Sequence, residues 1–255
     1  HDLTTGADRR LTDTGTYQFC CTGQHQIDFA EESAISRDGK LIAYSWFTEA
    51  KGRYELRVLK LDAAGPSIPK TIFDNPDVQW IAPFDWSPDG KSLAVRVGRK
   101  DDTNQIGLIG TANGSLTVLK TIDWRDAGRL VFSPDGALVA YDLAPSDTSN
   151  RHDIFVLSID GTKDIHAVAH PASDFVVGWS PDGRALLFAS DRTGSMGLWS
   201  LPFTSGKPQG APELIKGDLG LSSGFGITRF GNLLYGVAIG GPVVKVGSID
   251  PETGK

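Results

Sequence analysis

Three features of this sequence predict an all-β chain of repeated four-stranded antiparallel sheets, the architecture of a β-propeller. A turn tetrapeptide returns at near-constant spacing. Short β-rich runs flank every copy. No amphipathic helical stretch of useful length occurs. The tetrapeptide is Ser-Pro-Asp-Gly at 87–90, 133–136 and 180–183, Ser-Arg-Asp-Gly at 36–39, and a worn Thr-Arg-Phe-Gly at 228–231. Its third residue falls at 38, 89, 135, 182 and 230, giving intervals of 51, 46, 47 and 48 residues.

The turn has a physical basis. Pro presets φ at the second position, Asp bonds its own backbone, and Gly tolerates a positive φ. An apolar residue precedes each copy (Ile35, Trp86, Phe132, Trp179 and Ile227) and a β-rich run follows it, so each repeat opens with a hairpin. A third strand is expected at Tyr54–Leu61, Ile106–Ile109, Ile154–Ile159, Leu198–Leu201 and Val243–Ile249. Gly-bearing turns end these runs, and Asp160-Gly161 is one of them. Fourth strands are expected at Lys70–Phe73, Leu116–Thr121, Asp164–Ala169 and Glu213–Lys216.

The chain of 255 residues reads as one propeller domain over 1–255, with blades anchored near 35–38, 86–89, 132–135, 179–182 and 227–230. Asp2–Gly6 resembles the turn after a third strand, and Asp8–Thr12 reads as a lone fourth strand. Val243–Ile249 is a third strand that lacks its fourth. Pairing the two ends would complete five blades and remove the exposed edges. The alternative is a fragment of a six- to eight-bladed ring.

Lys plus Arg is 25 and Asp plus Glu is 31, a net charge of −6, so there is no cationic surplus for phosphates and no nucleic-acid partner is expected. No apolar run approaches about 18 residues, so no transmembrane helix or membrane insertion is expected. Cys20 and Cys21 are adjacent and build no disulfide framework. With His25 they offer only three metal ligands and no CxxC spacing. His152, His166 and His170 lack metal-ligand spacing. P-loop, HExxH and EF-hand patterns are absent. Neither metal nor cofactor is expected.

In each repeat the 4→1 and 2→3 connections share one end of the sheet, and they are the longer and more varied loops. Binding residues concentrate on such loops over a rigid scaffold. The candidates on that face are Trp46, Trp80, Trp124, Arg99, Arg125, Asp191 and Arg192, because exposed aromatics with Arg form protein-binding hot spots. Asp38, Asp89, Asp135 and Asp182 belong to turns at the opposite end and read as structural. Gly220-Leu221-Ser222-Ser223-Gly224 has the spacing of a nucleophile elbow, but it runs into a strand where that motif needs a helix. Glycoside hydrolysis would need two facing carboxylates in the central channel, for example Asp85 with Asp142.

The SPDG repeat resembles the PD40, or TolB-like, family of propellers. Ser190-Asp191-Arg192-Thr193-Gly194 resembles that family's SDRxG stretch, kept here in one repeat. The resemblance implies a non-catalytic module that binds a protein, peptide or ligand. It also implies a larger bacterial periplasmic or sensor protein as its setting. Related propellers gate prolyl-oligopeptidase-like peptidases, which is the alternative. A five-bladed glycosidase or lectin is a weaker one.

Overall fold

A computed structural model describes residues 5–11, 28–61, 68–149, 151–228, 230–238 and 242–248. Among them there is no helix; all regular structure is antiparallel strand. The first sheet is the meander β1 (Asp28–Ile35), β2 (Leu41–Thr48), β3 (Arg53–Lys60) and β4 (Lys70–Phe73). The second is β5 (Val78–Trp86), β6 (Ser92–Arg99), β7 (Asn104–Gly110) and β8 (Leu116–Ile122). The third is β9 (Leu130–Phe132), β10 (Leu138–Leu143), β11 (Asp153–Ser158) and β12 (Asp164–Val168). In the fourth, β13 (Asp174–Trp179), β14 (Ala185–Ser190) and β15 (Gly197–Thr204) are joined by β16 (Lys207–Pro208) and β17 (Glu213–Lys216), which both pair with β15. The fifth is β18 (Leu221–Ile227), β19 (Asn232–Ala238) and β20 (Pro242–Ser248). The first, second, third and fourth strands expected from the repeats between 28 and 248 are present, with β7 and β15 longer than their β-rich cores suggest.

The four-residue turns are built by one hydrogen-bond set. In Ser180–Gly183, Ser180 Oγ donates to Asp182 Oδ1 at 2.6 Å, which also accepts the Arg184 N–H at 3.0 Å. Ser180 Oγ in turn accepts the Ala185 N–H at 2.9 Å, and the Gly183 N–H closes on Ser180 O at 2.9 Å. The set repeats at Ser36–Gly39 and Ser133–Gly136. It recurs at Ser158-Ile159-Asp160-Gly161, a 3→4 turn that the sequence marked only by its Asp-Gly pair. The worn copy has Phe230 in place of Asp and a shorter frame: Thr228 Oγ1 accepts the N–H of Asn232, four residues on, at 3.1 Å, where the intact copies reach five. Gly39, Gly90, Gly136, Gly161 and Gly183 sit at φ between 69° and 74°, where a side chain is strained. A Cβ at Gly136 would also come within 3.0 Å of Pro88, and one at Gly183 within 3.6 Å of Pro134. At Gly90 it would meet nothing within 4 Å.

The chain divides into two compact units, 1–86 with 90–117 and 87–89 with 118–255. In the first, Ala34, Ala43 and Leu56 pack with Ile81, Trp86 and Leu93. The buried Trp86 indole donates to Ala34 O at 3.0 Å. In the second, Ile154, Val156, Val176, Trp179 and Phe188 form the core, and the Trp179 indole donates to Val131 O at 3.3 Å. Both accepting carbonyls lie two residues before the Ser of the preceding turn. Each Trp therefore ties its sheet to the one before it; Phe132 and Ile227 have no N–H to do so.

The N-terminal expectation is corrected. Residues 8–11 form no strand, and Thr12 lies outside the described residues. Arg9 donates to Leu61 O at 2.7 Å, and Leu11 packs on Tyr44, Trp46 and Leu59, so this segment lies on the first sheet. Among the described residues the β18–β20 sheet has three strands. Cys20, Cys21, His25 and residues 249–255 lie outside the described residues.

Two outcomes are expected. Gly90→Val should cost roughly 1–3 kcal/mol through backbone strain alone. Gly136→Val should cost more because it also strikes Pro88; melting temperatures of the two variants check this. The second concerns acid. Serine hydroxyls first, then backbone N–H groups, hold Asp38, Asp135 and Asp182 below the usual carboxylate range and Asp160 at about 2. A folded-state value below the unfolded one gives stability that is present above about pH 4 and lost as pH falls toward 2. Thermal melts across that window should fall, and Asp135→Asn with Asp160→Asn should flatten the slope.

Candidate functional site

The loop-rich end of the second unit is one hydrogen-bonded surface. Arg125 Nη1 donates to Ala144 O at 2.7 Å, which ties loop 123–129 to the connection after β10. The His152 N–H donates to Ser173 Oγ at 3.3 Å, and the Asp174 N–H donates to His152 O at 2.9 Å, which ties that connection to loop 169–173. The Ser173 N–H donates to Asp191 Oδ1 at 2.9 Å, and the Leu219 N–H to Met196 O at 2.8 Å. Each loop is thus held by its neighbour, so the surface is preorganised without a helix beneath it.

Trp124 stands on this surface with 61% of its area exposed. Beside it opens a cleft of about 320 Å³ lined by Lys120, Ile122, Asp123, Arg125, Pro145 and Phe155, among others. The Arg125 Nε contacts both Asp123 oxygens, at 2.8 and 3.0 Å, and this contact holds the Asp123 carboxyl below its ordinary value. Of the cleft-lining residues, Phe155 is the middle ring of a ladder: Tyr141, Phe155 and His166 occupy directly paired positions of β10, β11 and β12 and stack with centroids 5.3 and 4.4 Å apart. Lys120 reaches them from β8. Its ammonium donates to the Tyr141 hydroxyl at 2.7 Å and to Asp164 at 2.5 Å, and the Tyr141 hydroxyl donates to Asp164 at 3.0 Å. Burial, then Asp164, pushes the Tyr141 phenol up, so it stays a neutral donor.

Three buried carboxylates hold the rest of this end. Asp142 accepts from Val176 N at 3.2 Å and lies 2.8 Å from His152 Nδ1; a Cβ at Gly128 would fall 2.0 Å from it. Asp153 takes Arg151 at 2.7 Å and His166 at 2.9 Å. Asp174, 0% exposed, takes Arg192 at 2.8 Å.

The sequence-selected residues divide accordingly. Trp124 and Arg125 come together at the cleft, and Asp191 is exposed on the same surface. Arg192 is instead turned inward over Phe188 and Trp199, because Asp174 needs a counter-charge. Trp46 lies within β2, is 2% exposed, and is capped by Arg57 at 4.5 Å. Trp80 lies within β5, half-buried, its ring filling the space over Gly98 with Arg96 at 4.8 Å. Both strands extend into segments the sequence assigned to loops, so these two indoles are packing groups. Arg99 ends β6 with Asp101 at 3.9 Å. Lys120, Tyr141, Phe155, Asp164 and His166 were not anticipated. Their signal was the cross-strand alignment of three aromatic rings, which needs the register. Asp85 lies 3.7 Å from Arg37 and accepts the Trp86 N–H, and Asp142 has both oxygens engaged, so neither is an open acid or base. Ser222 lies inside β18 with no helix after it, as the sequence indicated.

Arg192→Ala would leave Asp174 buried without a counter-charge and should destabilise by about 3–5 kcal/mol. Arg125→Ala, whose partner Asp123 is exposed, should cost less than about 1 kcal/mol. Urea unfolding of both variants checks the contrast.

Comparison with known proteins bears on the fold. No family model matches the chain. A stretch of 81 residues is 37% identical to dipeptidyl-peptidase 5 of Aspergillus fumigatus; it covers 30% of this chain and 11% of that protein. The structure of TolB from Acinetobacter baumannii matches with a TM-score of 0.62 at 20% identity, over 84% of this chain and 51% of that one. TolB from Agrobacterium tumefaciens matches with a TM-score of 0.67 at 20% identity, over 87% of this chain and 78% of that one. A prolyl endopeptidase matches with a TM-score of 0.63 at 16% identity, over 87% of this chain and 34% of that one. The chain thus spans about a tenth of the curated relative and about half of the first TolB. The fold these sheets build is the TolB-like β-propeller that the SPDG repeat implied.

Proposed function

We propose that this chain is a non-catalytic binding propeller that docks a protein or peptide on the loop-rich end of its second unit, as part of a larger periplasmic or sensor protein. The observation that carries this reading is Trp124, exposed beside a cleft whose apolar lining is Ile122, Leu143, Ala144, Pro145 and Phe155. An exposed indole next to an aromatic-floored cleft, with a fixed Arg at the rim, is the composition of a binding hot spot. Preorganised loops lower the ordering cost of association. TolB-like fold neighbours support a propeller module in this role.

The second reading is a gating propeller of a prolyl-oligopeptidase-like peptidase. The local identity to dipeptidyl-peptidase 5 and the fold likeness to a prolyl endopeptidase favour it. Coding DNA that continues into an α/β-hydrolase domain with its nucleophile elbow would support the gate.

For the binding module, a displayed peptide library is selected on the wild-type protein, and selected peptides are titrated against Trp124→Ala. Truncating a hot spot should weaken binding by roughly 30-fold or more, with the melting temperature unchanged. Peptides that bind both proteins equally would overturn the assignment of this face.

A further inference from the structure

The turn between β7 and β8 carries a reactive dipeptide that the packing around it imposes. Asn113-Gly114 is the one Asn-Gly pair of the chain. The Gly114 N–H donates to Gly110 O at 2.7 Å, and the Gly110 N–H donates to Ser115 O at 2.9 Å. Gly114 stands at φ 68°, and a Cβ there would fall 1.9 Å from Ile72 O on β4. Position 114 therefore takes no side chain, and nothing shields its nitrogen from the Asn113 amide. Asn113 is exposed. Its Oδ1 accepts the Ser115 N–H at 3.1 Å and the Ser115 hydroxyl at 2.9 Å.

We propose that Asn113 is a self-modification site that cyclises onto the Gly114 nitrogen and opens to isoaspartate. The Gly114 nitrogen gives up its proton and bonds to Asn113 Cγ. The Cγ–Nδ2 bond breaks, and Nδ2 leaves as ammonia with that proton. Water then opens the five-membered imide at either carbonyl, which yields aspartate or isoaspartate. Negative charge develops on Oδ1 as the nitrogen adds, and the two Ser115 donors already aimed at that atom stabilise it. The bond from the Gly114 N–H to Gly110 O opens first, a local event in an exposed turn. Isoaspartate puts one extra carbon into the main chain, and this turn has no slack for it. Thr111 is bonded through its N–H to Lys91 O at 2.9 Å and through its hydroxyl to Gly90 O at 3.0 Å, while Gly114 abuts Ile72. The product therefore loosens the turn from β4. The inference is independent of the binding reading.

The test holds the full chain at body temperature and mildly alkaline pH and maps its peptides by mass spectrometry, with isoaspartate scored by an isoaspartyl methyltransferase. Asn113 should convert from amide to acid with time, mostly to isoaspartate. Asn75 is the internal control. Its Oδ1 likewise accepts a backbone N–H, from Asp77 at 2.9 Å, but Pro76 follows it and has no N–H to give. It should stay unmodified, as should Asn104 in β7 and Asn232 in β19. Ser115→Ala should slow conversion at Asn113 several-fold. Aged protein should melt below fresh protein, whereas Asn113→Asp, with its main chain of normal length, should melt with the fresh protein. An Asn113 still intact when a synthetic peptide of residues 110–117 has fully converted overturns the proposal. So does conversion at Asn104 or Asn232 as fast as at Asn113, since that reports an unfolded chain. Equal rates with and without the Ser115 hydroxyl, or aged protein that melts like fresh, overturn the role given to this turn.

Discussion

The Ser–Asp–Gly turn is the constraint from which the rest follows. A serine hydroxyl and an aspartate oxygen satisfy each other and two backbone N–H groups within six residues. The glycine then reverses the chain at a φ that other residues resist. That geometry fixes where the next strand begins, and with a side-chain period of two it fixes which residues face inward. The alternation of Val139 and Tyr141 against Ala140 and Asp142 on β10 inherits its register from Ser133–Gly136. Because the same frame appears in a 3→4 turn at Ser158–Gly161, one local solution makes both the β9–β10 and the β11–β12 connections of the third sheet.

The loop-rich end is held by different forces. Where the turns rely on neutral and charge-assisted hydrogen bonds within a few residues, this end relies on buried carboxylates that gather donors from several loops. Asp142, Asp153 and Asp174 each stand at a strand end and each binds a cationic or imidazole partner. Such groups are strongly destabilising if one partner is lost, and they specify geometry. The demand of Asp174 for a counter-charge draws Arg192 inward, where its guanidinium lies over Phe188 and Trp199.

The fold was legible because its determinant is local and repeated. A turn of four residues, met five times, reports its own conformation without tertiary context, and even the worn copy keeps the closing bond from the Gly231 N–H to Thr228 O. The site was legible only in part. Trp124 and Arg125 could be placed because a short loop leaves them few alternatives. Trp46 and Trp80 could not, since an indole at a strand end is exposed or buried according to whether the strand runs one or two residues further, and here it does. Arg192 was misplaced for a different reason. Its partner Asp174 lies 18 residues away, and the need of a buried carboxylate is invisible until the sheet is formed. The aromatic ladder of Tyr141, Phe155 and His166 required the cross-strand register, which spacing alone does not give.

The contact between a glycine of one turn and the proline of the turn before it makes neighbouring repeats heritable as pairs. Gly136 lies against Pro88 and Gly183 against Pro134. Gly90 follows the copy that carries Arg37 in place of proline and has open space. A repeat copied by duplication into a new place would bring its glycine but leave its proline partner behind. Drift in one turn is thus answerable to the next, and the first repeat, with no proline to offer, is where the array is free to diverge.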